Sequence, residues 1–505
     1  MSSVILPKLG VGIVYDPGLE PLLEPGESCI NVIEIEPQTF WTFQKNQQVP
    51  YNLPDYTLQH LQSFSQSKII HSVGFGLGGT HQPNDSDASA ISDIIDAFDA
   101  PWVSEHLSFT HVDSGQETFH TGFMLSPLQT IEGALTAAQT IRNFSANLPV
   151  PLAVETGVNY LQPRDGELTD GEFVALTVDK ANCGILLDLH NIWTNEQNGR
   201  QKVSDFLADI PLERVWEIHL AGGFEFEGYW LDSHSGSVPK PVMDLAKDLI
   251  PVLPNLKAVI FEIFPSFVPL FGINAIRKQL EDINDIWARS QGEQQFIDYK
   301  NTLQSYHDEI NNPGTTQLNP QLWEKTFGEL VTNERSTEPL TEELEKDDGI
   351  ALIRNLIWKF RAGSVVKTLN TLTQLILIYS GKKLLESLLD DYFNQTKPEA
   401  FASEEATGFI NYLRDQELDI PYLLDILLYE EGSLQTVLEQ KHQYVRFEYD
   451  PRILLQALAE GRIPDHIETG SYELKIPLDG RIGNTDIIGK EADTGILEDT
   501  NNFIT

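Results

Sequence analysis

Nine of the twelve histidines lie between residues 60 and 234, and several share a position with acids at the ends of short apolar runs. His71 closes one run, Ser104-Glu105-His106 another, and Glu155 a third. CGILLDLHN (183–191) ends in Asp188 and His190, RVWEIHL carries His219, and KAVIFEI carries Glu262. Between the last two, LDSHSG adds Asp232 and His234. Residues two apart in extended chain share a face, so Asp188 and His190 are expected to reach one site together. Imidazole with carboxylate and no thiolate is a ligand set for iron, manganese or zinc rather than copper(I). One metal takes three or four protein groups, so eight or nine suffice for two or three. A lone histidine on a strand is ordinarily a hydrogen-bonded core residue, and Glu105 reads equally well as an ion-pair partner. The recurrence at six run ends out of eight favours chemistry. Left uncompensated, such acids are costly to desolvate, and a divalent or trivalent cation offsets that cost.

The runs are eight and evenly spread: GVGIVY (10–15), NVIEIE (31–36), KIIHSVG (68–74), APWVSEH (100–106), PLAVET (151–156), CGILLDL (183–189), RVWEIHL (214–220) and KAVIFEI (257–263). Segments such as SPLQTIEGALTAAQTIRNF (126–144) and PVMDLAKDLIPVL (241–253) lie between them with helical apolar spacing. Strand alternating with helix predicts parallel βα units, and eight of them predict a (β/α)8 TIM barrel, α/β in class, over residues 1–290. A helix at 272–290 is expected to close it. At the mouth of such a barrel the carboxyl ends of all strands converge, which gathers residues distant in sequence.

Past residue 290 the strand-like runs stop. Turn-rich NNPGTTQLNP (311–320) and charged NERSTEPLTEELEKDDG (333–349) fit a linker with first helices over 291–349. Amphipathic segments then predict a mainly α-helical second domain over 350–466, with a short β element at QYVRFEYD (443–450). Residues 467–505 read as a loose acidic tail with at most a strand at YELKIPL.

A formal net charge of −41 repels polyphosphates and argues against nucleic acid as a partner. Only Cys29 and Cys183 are present, both in apolar surroundings, which fits a reducing compartment rather than a disulfide framework. The N-terminus lacks a basic signal region, and no run approaches the roughly 18 apolar residues of a membrane span. A cytoplasmic protein without membrane partners is the expectation; homo-oligomerisation stays open. HSVGFGLGGT (71–80) matches neither a dinucleotide fingerprint nor a P-loop and reads as a tight barrel loop. His60 lies in a helix-like segment, and His81, His111 and His120 lie in loops, the last two within reach of the mouth. His307, His442 and His466 read as ordinary. Two other functional classes compete: a divalent-metal sugar isomerase, epimerase or phosphodiesterase barrel, which requires a Lys or Arg that the strand ends do not offer, and a non-enzymatic scaffold.

The ordered motifs HSVGFGLGG, VSEHLSF, AVETGVNYL, CGILLDLHNIW, EIHLAGG, LDSHSGSV and Glu262 resemble the multinuclear non-haem iron-dependent oxidative enzymes over residues 8–268. The resemblance implies two or three irons, dioxygen as cosubstrate, and oxidation of a ribosomally made precursor peptide at a cysteine or a nearby residue. It implies His71, His106, Glu155, Asp188, His219, Asp232, His234 and Glu262 as ligands, with His71, Glu155 and Asp188 nearest the chemistry; His190 joins the metal set by its spacing from Asp188. The chain departs from the pattern at Gln38-Thr39, where the family usually has Glu-Asn. It departs again at Gly223, usually His, and at His190, two rather than three residues after the Asp. LWEKTFGELVT (322–332) and FINYLRD with PYLLDILLYEE (409–431) resemble the helical partner proteins that bind precursor leaders. The bland alternative for this half is a dimerisation or stabilising domain.

Overall fold

The computed structural model describes residues 6–24, 26, 29–44, 50–115, 117–289, 319–333, 336–478 and 487–488. Eight strands form a closed barrel: β1 (Gly10–Val14), β2 (Val32–Ile35), β3 (Ser67–Ser72), β4 (Val103–His106), β5 (Leu152–Glu155), β6 (Gly184–Asp188), β7 (Val215–Ala221) and β8 (Ala258–Glu262). They run in the order β1-β8-β7-β6-β5-β4-β3-β2, with every neighbouring pair parallel. The eight expected runs are thus the eight barrel strands. β4 starts at Val103 rather than Ala100, since Pro101 donates no ladder hydrogen bond. β-Branched residues line strands buried on both sides, the composition a helix-covered parallel sheet requires. At Gly12 the backbone passes so close to β2 that a Cβ would lie 2.3 Å from the Val32 carbonyl oxygen.

The outer helices begin on sequence-encoded caps. Asn84 with Asp87 forms a capping box on helix Asp85–Phe98, and Thr169 with Glu172 does so on Asp170–Ala181. The closing helix spans Ile273–Arg289 and buries Ile276, Leu280, Ile283 and Trp287. Two segments between barrel strands are β-hairpins: Phe109–Asp113 with Thr118–Leu125, where a loop carrying His111 and His120 is expected, and Phe224–Phe226 with Tyr229–Leu231. His111 and His120 face each other across the first, ring centroids 5.1 Å apart.

The chain divides into two compact units, Met1–Trp41 with Asp55–Asn355, and Thr42–Pro54 with Leu356–Thr505. The first contains the barrel and helix Pro320–Val331, whose Trp323 indole donates to the Ser126 carbonyl at 3.0 Å. LWEKTFGELVT therefore belongs to the barrel unit. The second unit packs Leu372, Ile376, Phe409, Ile410 and Ile426 in its core. It includes antiparallel strands Gln443–Tyr449 and Thr469–Ile476 and a hairpin, Thr42–Phe43 with Tyr51–Asn52. Phe43 stacks on Phe401 with centroids 4.6 Å apart, which ties that hairpin to this unit. A buried ion pair, Arg361 to Glu405 at 2.8 Å, braces its helices. Residues 291–318 and 334–335 of the expected linker and 479–486 and 489–505 of the expected tail lie outside the described residues. Among the described residues no helix is long and apolar enough to cross a membrane.

Candidate metal centre

Barrel register brings the strand-end residues level. His106 pairs with Glu155 and Asp188 with His219 as Cα partners on adjacent strands, and Ala221 aligns with Glu262. Three groups of ligand atoms, each within 4.8 Å, result: His71/His106/Glu155, Glu155/Asp188/His219 and Asp188/His234/Glu262. Glu155 serves the first two and Asp188 the last two, so the groups form a chain joined by shared carboxylates. His71 Nε2 and His106 Nε2 stand 3.1 and 2.8 Å from the same Glu155 oxygen, and His219 Nδ1 stands 3.1 Å from Glu262. His234, with φ of 43° in the left-handed region, brings its Nε2 to 3.0 Å from Asp232 and 3.4 Å from Glu262. That backbone strain at a site residue is the kind that surrounding structure must over-determine.

The residues fit a cation better than they fit each other. Glu155 Oε2, Asp188 Oδ2, Asp232 Oδ1, Glu262 Oε2, His106 Nδ1 and His219 Nδ1 are buried without a hydrogen-bond partner, although oppositely charged atoms lie within 4 Å of several. Their close contacts fail the angular requirement of a hydrogen bond, as expected of donors aimed at a common point. Burial, then the charges of Asp232, Glu262 and Glu155, pushes the Asp188 carboxyl well above its ordinary range. Burial also pushes Glu155 up, but His106 and His71 together outweigh it and hold that carboxyl well below the usual range. Burial lowers the His234 pKa, yet Asp232 and Glu262 raise it further, to about 10. Such opposed shifts are those of a buried cluster of acids and imidazoles whose charge a cation would balance.

A second tier supports the first. Glu105 accepts from Ser72 Oγ at 2.6 Å, Phe75 N at 3.0 Å and His106 N at 2.8 Å, so it ties the loop that follows β3 to the strand end that carries His106. Beneath His219, the fully buried Glu34 accepts from Nε2 at 3.2 Å, and Glu217 accepts the Trp102 indole N–H at 2.9 Å. Glu34, Glu217 and His219 form a fourth group of close ligand atoms. Glu36, half-buried at the mouth, is pushed up in pKa by burial. Sequence reasoning missed Glu34, Glu36 and Glu217. Their signal was the alternation of NVIEIE and WEIH, which turns every second residue of a strand to the interior.

His190 sits differently from its expectation. The strand ends at Asp188, whose side chain caps helix Leu189–Gln197 by accepting from Asn191 N at 2.8 Å. His190 lies in the first helical turn, where residues two apart do not share a face. It belongs to none of the three linked groups; its Nδ1 is 3.3 Å from Asp232 Oδ1 and its Nε2 is 3.0 Å from the Trp230 indole nitrogen. His81, His111 and His120 stack among themselves, and burial lowers the pKa of each, to about 2 at His111 and about 4 at His120.

A closed parallel barrel that gathers imidazoles and carboxylates at its mouth defines a TIM-barrel protein with candidate metal-binding clusters. Residues 12–272 match the model of the RiPP precursor modification enzymes MbnB/TglH/ChrH, and the chain belongs to that family. A UPF0276 protein of Streptomyces avermitilis is 30% identical over 245 residues, 48% of each chain. UPF0276 proteins of Chromobacterium violaceum and Neisseria meningitidis serogroup B are each 31% identical, over 36% and 42% of this chain and 64% and 75% of theirs. The chain thus spans about half the length of the Streptomyces relative. Among solved structures, an IOLI protein with a zinc atom aligns at 13% identity and TM-score 0.36, covering 56% of this chain and all of its own. D-Psicose 3-epimerase of Clostridium cellulolyticum H10 aligns at 9% identity and TM-score 0.34, covering 56% and 96%.

Proposed function

We propose that the protein is a multinuclear iron enzyme that uses dioxygen to modify a ribosomally made precursor peptide, at a cysteine or a residue beside it. The observation that carries this reading is the sharing of Glu155 and Asp188 between adjacent ligand groups, which suits three metal positions bridged by carboxylates. His71, His106 and Glu155 would hold the first, Glu155, Asp188 and His219 the second, and Asp188, His234 and Glu262 the third. Imidazole and carboxylate without thiolate favour iron, manganese or zinc, and family membership narrows the task to precursor modification. Bound iron would supply the redox chemistry with dioxygen, which no protein side chain here provides. The chain's own part is geometry: Glu105 braces the strand end of His106, Glu34 holds His219 from behind, and the barrel wall keeps bulk water from the acids. We assign leader-peptide binding to the helical unit, supported by its resemblance to leader-binding partner proteins.

The test is anaerobic purification with iron analysis, followed by oxygen consumption with cysteine-containing precursor peptides encoded beside the gene. About three irons per chain and peptide-dependent oxygen uptake with a mass change in the peptide are expected. Protein that takes up no iron, or iron-loaded protein that consumes no oxygen with any such peptide, refutes the reading.

A further inference from the structure

We infer that Trp230 is a positioning residue that fixes the tautomer of His190, with the imidazole hydrogen on Nδ1 beside Asp232, so that His190 does not itself ligate metal. The inference rests on the metal reading above and assigns a role to a pair that reading leaves unused. An indole nitrogen only donates. With Trp230 Nε1 at 3.0 Å, His190 Nε2 must present its lone pair, and a neutral imidazole then carries its hydrogen on Nδ1. That N–H lies beside Asp232 Oδ1, 3.3 Å away, in a close contact whose angle falls short of a hydrogen bond. The same Asp232 oxygen lies 3.0 Å from His234 Nε2, a member of the third ligand group. Ligation through Nδ1 would force the hydrogen onto Nε2 and set two N–H groups against each other.

The arrangement is built, not incidental. Asn198 clamps the Trp230 backbone from both sides, accepting from its N–H at 2.8 Å and donating to its carbonyl at 3.0 Å. Trp193 packs edge-on against the Trp230 ring at 4.9 Å, and His190 is fully buried. Space for the contact comes from Gly223, where a Cβ would lie 2.5 Å from Trp230 Nε1, 2.6 Å from His190 Nε2 and 2.4 Å from the Leu231 carbonyl oxygen. Leu231 and Trp230 belong to the hairpin that returns over the mouth, so any larger residue at 223 must displace the backbone or separate the pair. Gly223, His190 and Trp230 thus depend on one another, although they lie on three different segments.

The experiment titrates metal-free full-length protein anaerobically with Co(II), reading stoichiometry and the visible ligand-field bands, for wild type and for His190→Gln, Trp230→Phe and Gly223→Ala. His190→Gln keeps an N–H for Asp232 and is expected to bind as many ions as wild type, the last with affinity reduced by no more than about 10-fold, the mild end of outer-sphere substitutions. Trp230→Phe releases Nε2 and lets Nδ1 turn its lone pair outward, so the bands of the last-bound ion shift; Gly223→Ala parts the same pair and shifts them likewise. If His190→Gln loses a full equivalent while wild type binds its complement, His190 is a ligand and the inference fails alone. Unchanged bands in both Trp230→Phe and Gly223→Ala also overturn it. Wild type that takes up no Co(II) overturns the metal reading and the inference together.

Discussion

Replacing Glu34 by Gln should move two measurements in opposite directions. Glu34 is fully buried, and its two oxygens lie 3.1 and 3.2 Å from His219 Nε2, while His219 Nδ1 faces Glu262 at 3.1 Å and Glu155 at 4.0 Å. If Nδ1 holds a metal, Nε2 carries a hydrogen and Glu34 accepts it, which orients the ring and raises its basicity. Gln keeps the acceptor and loses the charge, so metal affinity at the position that uses His219 should fall about 10-fold, or about 1.4 kcal/mol. In the metal-free protein the sign reverses. Burial raises the Glu34 carboxyl well above its ordinary range, His219 opposes this, and Glu217 adds to it. A raised carboxyl contributes its stability below the unfolded pKa and loses it as pH rises through the folded one. Gln removes that loss and offers an N–H to the buried, unpartnered Glu217 Oε1. A hydrogen bond to a charged group is worth about 1.5–3 kcal/mol, so at pH 8 the metal-free variant should melt at least about 3 °C above wild type. The advantage should vanish towards pH 4. Melting curves of metal-free protein at both pH values, together with Co(II) titrations, make the comparison. A Gln variant that melts lower than wild type at pH 8, or that binds metal as tightly, refutes the reasoning.

Glu155→Ala should remove two of the three linked positions at once, so iron per chain should fall from about three to about one, whereas His71→Ala should remove one; equal losses by elemental analysis would deny Glu155 its bridging place. Glu324, buried in the barrel unit and accepting from Thr80 N at 2.8 Å, is pushed up by burial to about 7. Its stabilising contribution is complete below about pH 4.5 and is lost as pH rises through 7, so Glu324→Gln should gain up to about 3 kcal/mol over wild type between pH 5 and 8.5, measured by chemical denaturation. Arg200 holds Asp170 at 2.6 Å and the Leu161 carbonyl at 2.6 Å in a nearly water-free pocket. Arg200→Met leaves Asp170 buried and unpaired, and should cost about 3–5 kcal/mol in the same denaturation assay.

The barrel was legible because its strands are buried on both sides and carry continuous apolar runs, a pattern that survives without knowledge of neighbours. The ligands were legible for the same reason, since a charged residue at the end of such a run has nowhere to go but the mouth. What escaped was either local chemistry of low contrast or long-range pairing. The 224–231 hairpin turns at Glu227 and Gly228, both with positive φ, a two-residue turn that the aromatic alternation of FEFEGYWL could have betrayed. The residues at 42–54 carry no local mark of joining a unit whose remainder begins about 300 residues later. Glu34 and Glu217 were passed over because an acid in the middle of a strand usually faces solvent, and only barrel closure turns both towards His219. His190 shows the sharpest limit. Its spacing from Asp188 implies a shared face only while the strand continues, and the same Asp188 that ends the strand as a candidate ligand also starts the helix as its cap. One side chain therefore closes the periodicity from which its neighbour was judged. That is why Asp188 reaches into the ligand chain, while His190 reaches Trp230 and Asp232.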